Sequence, residues 1–244
     1  MFDFHSHILP GIDDGSESIE QSLQMLEKSK QAGVEGIIAS PHFYADRDLP
    51  ERFLQRRSRS LRELEKACIG KGLPPVIPGA EVAYFEGMSD CEELYDLRIV
   101  GTDMILVEMP AISWNSRMID EIAAIYEKTG LVPIIAHIDR YIKVFGKKDM
   151  ADWFDGLPVL IQVNANFFEI RKFARLAAKM FVKGRIHLFG SDCHNLTSRP
   201  PNMELAFSTM EKLLGPDAVR KVELTEKAIL EGSKREALRV AYGN

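Results

Sequence analysis

The sequence predicts an α/β fold: parallel strands curled into a barrel-like sheet, helices outside it, and residues 1–244 forming a single domain. Three observations carry this expectation. Seven short apolar runs alternate with longer amphipathic stretches, the pattern of parallel β-α units that each need a crossover helix. Glycines stand where the amphipathic stretches end. Most of the histidines fall where an apolar run stops. Periodicity alone does not separate a barrel from an open doubly wound sheet; convergence of polar residues on one end favours the barrel.

In chain order, residues 1–5 form the first strand candidate. Residues 17–32 follow as a helix, with Ile19, Leu23 and Leu26 at spacings that share one buried face. Gly33 closes it, as a C-terminal glycine should. A strand is expected over 36–42 and a helix over 51–71. That helix carries Arg52, Arg56, Arg57, Arg59 and Arg62 among Glu51, Glu63 and Glu65. Mixed charge of this kind reads as a solvated face, with docking of an acidic peptide as the sharper alternative. Gly72-Leu-Pro-Pro is a turn into the strand at 76–84. Strands at 104–109, 131–138, 159–163 and 186–190 alternate with helices at 115–128, 167–182 and 203–214, and Gly130 and Gly184 punctuate two of the junctions. The tail at 223–244 reads as one more helix and carries no motif.

The bulk properties exclude several classes. Charged residues make up 27% and the formal net charge is −5, which argues against general nucleic-acid binding. No apolar run approaches the roughly 20 residues a membrane span needs, and Met-Phe-Asp-Phe-His does not resemble a signal peptide. Three widely spaced cysteines, Cys68, Cys91 and Cys193, do not form a disulfide framework. A cytoplasmic protein is expected.

Of six histidines, five lie at strand ends: His5 and His7 at the first, His42 at the second, His137 at the fifth and His194 after the seventh. Glu81, Glu108 and Asp192 share the pattern. A lone strand-end histidine is usually just a hydrogen-bonded residue. Burying several ionisable groups without partners, however, costs several kcal/mol each. A shared cation removes that cost for all of them, and a His/carboxylate set without cysteine suits Mn, Fe or Zn. His187, at the start of its strand, reads as structural.

These residues also carry a family resemblance. Asp3-Phe-His-Ser-His and Leu9-Pro-Gly-Ile-Asp-Asp-Gly15 resemble the opening of the PHP (polymerase and histidinol phosphatase) superfamily. The run from His5 to Gly15, with Ser40-Pro-His, Pro78-Gly-Ala-Glu-Val, Leu106-Val-Glu, Ala136-His-Ile-Asp-Arg-Tyr and Gly190-Ser-Asp-Cys-His, resembles the CpsB/CapC family of manganese-dependent bacterial protein-tyrosine phosphatases. The resemblance implies a distorted (β/α)7 TIM-like barrel of the PHP type and three divalent metal ions, Mn first, with Fe or Zn as alternatives. It assigns His5, His7, Glu81 and Asp192 to one ion. Glu81, Glu108 and His137 go to the second, and Asp14, His42 and His194 to the third. Asp14 is taken over its neighbour Asp13 from the motif alone. Arg140 and Arg199 are implied as phosphate-binding and catalytic residues. The implied substrate is a phosphotyrosine protein, a bacterial tyrosine kinase controlling capsule or exopolysaccharide synthesis.

Phosphoester hydrolysis needs a nucleophile and neutralisation of phosphoryl charge; divalent cations lower a water pKa from about 15.7 toward roughly 7, and guanidinium forks match phosphate oxygens. Tyr44, Tyr84, Phe85, Trp114 and Tyr141 lie just past strand ends and are candidates for packing a substrate ring, with core packing as the plainer reading. Cys193 and Arg199 fit the C-x5-R spacing of cysteine-dependent phosphatases, but the intervening His-Asn-Leu-Thr-Ser has no glycine for a phosphate-wrapping loop. The spacing is therefore read as coincidence. The rival enzymes are a small-molecule phosphatase of the histidinol-phosphatase type and a metal-dependent amidohydrolase; a non-catalytic PHP scaffold is the alternative from another class.

Overall fold

A computed structural model describes residues 1–242. It is an α/β structure around a curled parallel sheet. Strands β1 (Phe2–Ser6), β2 (Gly36–Ala39) and β4 (Val76–Pro78) pair in that order. Strands β3 (His42–Phe43), β5 (Glu81–Ala83), β6 (Met104–Glu108), β7 (Val132–Ile135), β8 (Leu160–Asn164) and β9 (Leu188–Gly190) form a second ladder. Every described pairing is parallel.

Two of the expected strands are interrupted, which gives the described residues nine strands rather than seven. The span 36–42 breaks at Ser40-Pro41, since proline has no N–H to donate to a ladder, and 76–84 breaks at Gly79-Ala80. Past each break the chain changes ladder, so His42 aligns with Glu81 and both turn into the same end of the sheet. At that end the two outer edges meet: Asp192 N donates to His5 O at 2.8 Å and His7 N to Cys193 O at 2.9 Å.

Buried side chains alternate along the strands. Ile105, Val107, Ile135, Ile161 and Phe189 belong to one apolar cluster, and Met104, Leu106, Ile134, Leu160 and Leu188 to the other. Helices α1 (Ile19–Gln31), α2 (Pro50–Cys68), α3 (Ser116–Thr129), α4 (Ile138–Phe145), α5 (Arg171–Val182) and α6 (Met203–Leu214) follow the strands. The tail is not a single helix: α7 (Pro216–Leu230) and α8 (Lys234–Tyr242) are separated by a turn at Gly232, and residues 243–244 of that expectation lie outside the described residues. No helix among the described residues is long and apolar enough to cross a membrane.

Three local expectations need correction. The buried face of α1 is Ser22, Met25, Leu26 and Ser29; Ile19 and Leu23 sit at its margin. Ser22 turns inward because its hydroxyl donates to Ile8 O at 2.7 Å, which ties the helix to the loop that follows β1. In α2, Arg57 is not part of a solvated face. It is buried and donates to Gly79 O and Asp96 O, where it satisfies the break between β4 and β5. The strand expected over 131–138 ends at Ile135, and Ile138 opens α4 instead, the chain turning through the left-handed backbone of His137.

Candidate metal centre

All nine expected ligand residues converge on the C-terminal end of the sheet. Glu81 stands at the middle, fully buried. Its Oε2 lies 3.0 Å from His42 Nδ1 and 3.2 Å from the Nε2 atoms of both His5 and His7. Its Oε1 lies 2.7 Å from His137 Nε2. Glu108 Oε1 is 3.5 Å from the same His137 nitrogen, and Asp192 Oδ1 is 3.5 Å from His5 Nε2. Asp14 Oδ1 lies 3.5 Å from Nε2 of both His42 and His194.

Hydrogen bonds on the far side of three imidazoles orient them. His7 Nδ1 meets Asp13 Oδ2 at 2.7 Å, His194 Nδ1 meets Asp192 O at 2.9 Å, and His5 Nδ1 meets Gln162 Oε1 at 3.3 Å. Each of these partners only accepts, so Nδ1 carries the proton and Nε2 aims a lone pair into the cluster. Ligating histidines are held in this way. Asp13 and Asp14 thus divide the work. Asp13, 7% exposed, also accepts from His42 N and Gly15 N, while Asp14, 65% exposed, faces the cluster from the rim.

The donor set fits a cation. Three ring nitrogens crowd Glu81 Oε2, yet that oxygen, His42 Nδ1 and His194 Nε2 have no hydrogen-bond partner among the described residues. The Nε2 atoms of His5 and His7 stand 3.2 Å apart, where two lone pairs would repel unless positive charge lies between them. Charge balance agrees. Burial alone would depress His7, but the Asp13 and Glu81 carboxylates overcome it and raise His7 to about 10, so the pocket draws positive charge to Nε2, a proton where no cation takes its place. Burial likewise acts to raise Glu81, yet the surrounding imidazoles, His5 foremost, hold it well below its ordinary value. Ligand atoms within 4.8 Å of one another form three groups: His7, Asp14, His42 and His194; His5, His7 and Glu81; and His42, Glu81 and Glu108. These overlap the three expected sets without reproducing them: His7 and His42 each serve two groups, and Asp192 and His137 fall in none.

Strain concentrates here. The non-glycine residues with positive φ among the described residues are His137 (φ 32) and Asp192 (φ 52), both in the cluster. Such backbone costs of order 1–3 kcal/mol and persists only where its surroundings enforce it. Gln162 Oε1 fixes the His137 amide at 2.7 Å, and Asn164 Nδ2 fixes Asp192 Oδ2 at 2.7 Å. Gln162 and Asn164 were missed by sequence reasoning, as was buried Asp3, which accepts from His5 N, Ser191 N and Ser191 Oγ. A signal existed: Gln162-Val-Asn164 alternates polar residues inside a strand otherwise buried and apolar.

Arg140 and Arg199 reach the rim, 36% and 34% exposed. Arg140 donates to Glu108 at 2.6 Å and Asp192 at 3.0 Å, and Arg199 pairs with Asp192 at 2.6 Å. Trp114 and Tyr141 are core residues rather than substrate contacts. Their rings pack at 4.8 Å, and their polar atoms donate to Pro110 O and Met109 O. Tyr84 and Phe85 pack partly buried against the core, which leaves Tyr44 lining a cleft with Asp14 and His42. Cys193 is fully buried and burial pushes its thiol far up, so it offers no thiolate. His187 lies apart, accepting from Ile161 N at 3.0 Å.

The chain is 27% identical over 232 residues to the tyrosine-protein phosphatase CpsB of Streptococcus pneumoniae, covering 91% of this chain and 94% of that protein. It is 27% identical over 236 residues to the tyrosine-protein phosphatase YwqE of Bacillus subtilis, covering 94% and 91%. A crystal structure from work on YwqE of Bacillus subtilis and CpsB of Streptococcus pneumoniae, described as metal-dependent tyrosine phosphatases, superposes with a TM-score of 0.81 at 22% identity over 95% of each chain. Histidinol phosphate phosphatase of Lactococcus lactis superposes with a TM-score of 0.55 at 12% identity, over 86% of this chain and 92% of that one. The model of the family described as "Capsular polysaccharide synthesis, CpsB/CapC" matches residues 1–230, and the chain belongs to that family.

Proposed function

We propose that this protein is a metal-dependent phosphomonoester hydrolase acting on phosphotyrosine in proteins. Its substrate, on this reading, is a bacterial tyrosine kinase that governs capsular or exopolysaccharide synthesis. The observation that carries the reading is one buried carboxylate, Glu81, ringed by four imidazoles, beneath two half-exposed arginines. Membership of the capsular polysaccharide synthesis family supports the biological setting, and similarity to CpsB and YwqE supports the phosphotyrosine substrate.

His5, His7, Glu81 and Asp192, then Glu81, Glu108 and His137, then Asp14, His42 and His194 would hold three divalent ions, manganese by preference. Bound there, the ions would supply Lewis-acid charge and an acidified water. The remaining work belongs to the chain. Arg140 and Arg199 bind the phosphoryl oxygens through charge-assisted hydrogen bonds, their side chains already fixed at the rim by Glu108 and Asp192. Asp13 and Gln162 keep His7 and His5 in the tautomer that turns Nε2 inward. A phenolate leaves with a pKa of about 10, so a tyrosyl ester demands less of a general acid than an alkyl ester does. The strands count as seven of a distorted (β/α)7 barrel if β2 with β3 and β4 with β5 are each one interrupted strand, and residues 1–244 form one domain. Cytoplasmic residence accords with three unpaired cysteines.

Hydrolysis of p-nitrophenyl phosphate and of a phosphotyrosyl peptide, before and after chelation and with Mn added back, tests the proposal. Activity lost to the chelator and restored by Mn is expected. Activity indifferent to the chelator refutes the metal, and preferential turnover of histidinol phosphate refutes the substrate.

A further inference from the structure

The arginine-rich start of α2 has no part in the chemistry above, yet it faces the site. A cleft of about 680 Å³ is lined by Asp13, Asp14 and His42 together with Arg47, Arg52 and Arg56. Tyr44 links the two groups: its ring lies 5.3 Å from that of His42, and the Arg47 guanidinium lies 4.6 Å from its centroid. A path therefore leads outward from the cluster through one aromatic ring to a row of cations.

Those cations are available. Arg52 is exposed and has no carboxylate partner among the described residues. Arg47 reaches Asp46 only at 3.9 Å with both side chains more than 70% exposed, a pair worth little. Arg56 is held by Asp48, itself in the cleft wall, which fixes its direction while leaving it half exposed. Of the rest of the arginine run, Arg57 is buried, Arg59 pairs with Glu63 along the helix, and Arg62 is exposed and does not line the cleft. In a chain of net charge −5, cations gathered beside the histidine cluster select for negative charge in whatever enters with the phosphate.

We propose that Arg47, Arg52 and Arg56 form a docking wall for Asp and Glu residues flanking the phosphotyrosine, and that this wall sets the enzyme's preference among phosphoproteins. The inference rests on the phosphatase reading. Rim charges of this kind act mainly on encounter and specificity and are screened by salt.

The test uses the metal-loaded enzyme and two phosphotyrosyl peptides that differ only in having acidic or neutral flanks. Turnover of p-nitrophenyl phosphate by the wild type is measured first; if that compound and both peptides are left intact, the phosphatase reading fails and this one with it. With activity present, kcat/KM is expected to favour the acidic peptide by about tenfold at low ionic strength, the sum of a few exposed pairs. The preference should shrink toward unity in about 0.5 M salt, a measurement that needs no variant. It should also be lost in the double variant Arg52→Glu/Arg56→Glu and retained in Arg52→Lys/Arg56→Lys. Equal kcat/KM for the two peptides in the wild type at low salt, or a preference that survives charge reversal, overturns the proposal.

Discussion

Gly190, the last residue of β9, makes the closest test of how the sheet positions the centre. A Cβ built there would lie 2.5 Å from His5 Cβ, 2.8 Å from Gln162 Nε2 and 3.0 Å from His5 N. None of these is the far end of a flexible side chain. The nearest two groups of His5 are backbone or one bond from it, and Gln162 is fixed by its bond to Asn164 at 2.9 Å. Ordinary contacts between carbon atoms are roughly 3.5–4.0 Å, so Gly190→Ala must drive β1 from β9 by roughly 1 Å. Overpacking of that kind costs about 1–3 kcal/mol. The group displaced is His5, so the effect on chemistry should exceed the effect on folding: a 1 Å misplacement can cost about 100-fold in rate. Urea unfolding of the variant should show the modest loss of stability. Turnover of p-nitrophenyl phosphate at saturating Mn should fall about 100-fold at a temperature where the variant remains folded. A stable variant with wild-type kcat would refute the claim that the contact between β1 and β9 sets the metal geometry.

Further outcomes follow from the same structure. Asn164→Leu removes the donor to Asp192 Oδ2, and loss of such an outer partner typically costs about 10- to 100-fold in metal affinity or activity; Mn titration of the apoprotein measures it. Arg140→Lys loses the fork that spans Glu108 and Asp192 and should lower kcat/KM about tenfold or more, whereas unchanged kinetics would remove Arg140 from phosphate binding. Cys193→Ser should keep most activity while a chelator abolishes it; the reverse pair of results would restore the cysteine mechanism. Burial, reinforced by Lys221, lowers His187 to about 3, so between its unfolded value near about 6.5 and that folded value the unfolded chain binds the extra proton. Stability contributed by neutral His187 is thus present above about pH 6.5 and lost as pH falls, at up to about 1.4 kcal/mol per pH unit. His187→Gln should flatten that limb of the unfolding free energy measured against pH; an unchanged slope would show that His187 is not buried in the neutral form.

Much of the centre was legible because ligand chemistry is local in sequence even when its geometry is not. His5 and His7, Glu81, His137 and the pair Asp192 and His194 stand at the ends of apolar runs, where a charged group makes sense only if something shared compensates it. The outer partners were harder to see. Asp3, Gln162 and Asn164 look like ordinary polar interruptions until the strands are aligned, because their purpose is set by residues 25 to 188 positions away. Arg57 failed in the opposite direction: five arginines among glutamates look like one solvated face, yet the carbonyl left unpaired by the break at Gly79 draws one of them inside.

By itself, then, the sequence determined the alternation of strand and helix, the side-chain types of the centre and the lack of a glycine-lined loop after Cys193, since all three follow from local patterning and intrinsic chemistry. The tertiary structure alone decided that Asp13 orients while Asp14 faces inward, that His137 and Asp192 are held in left-handed backbone, and that one wall of α2 overlooks the site. Each of these depends on the angle at which a strand end meets its neighbours. That angle is fixed by packing across the curled sheet, a property no single segment of the chain contains.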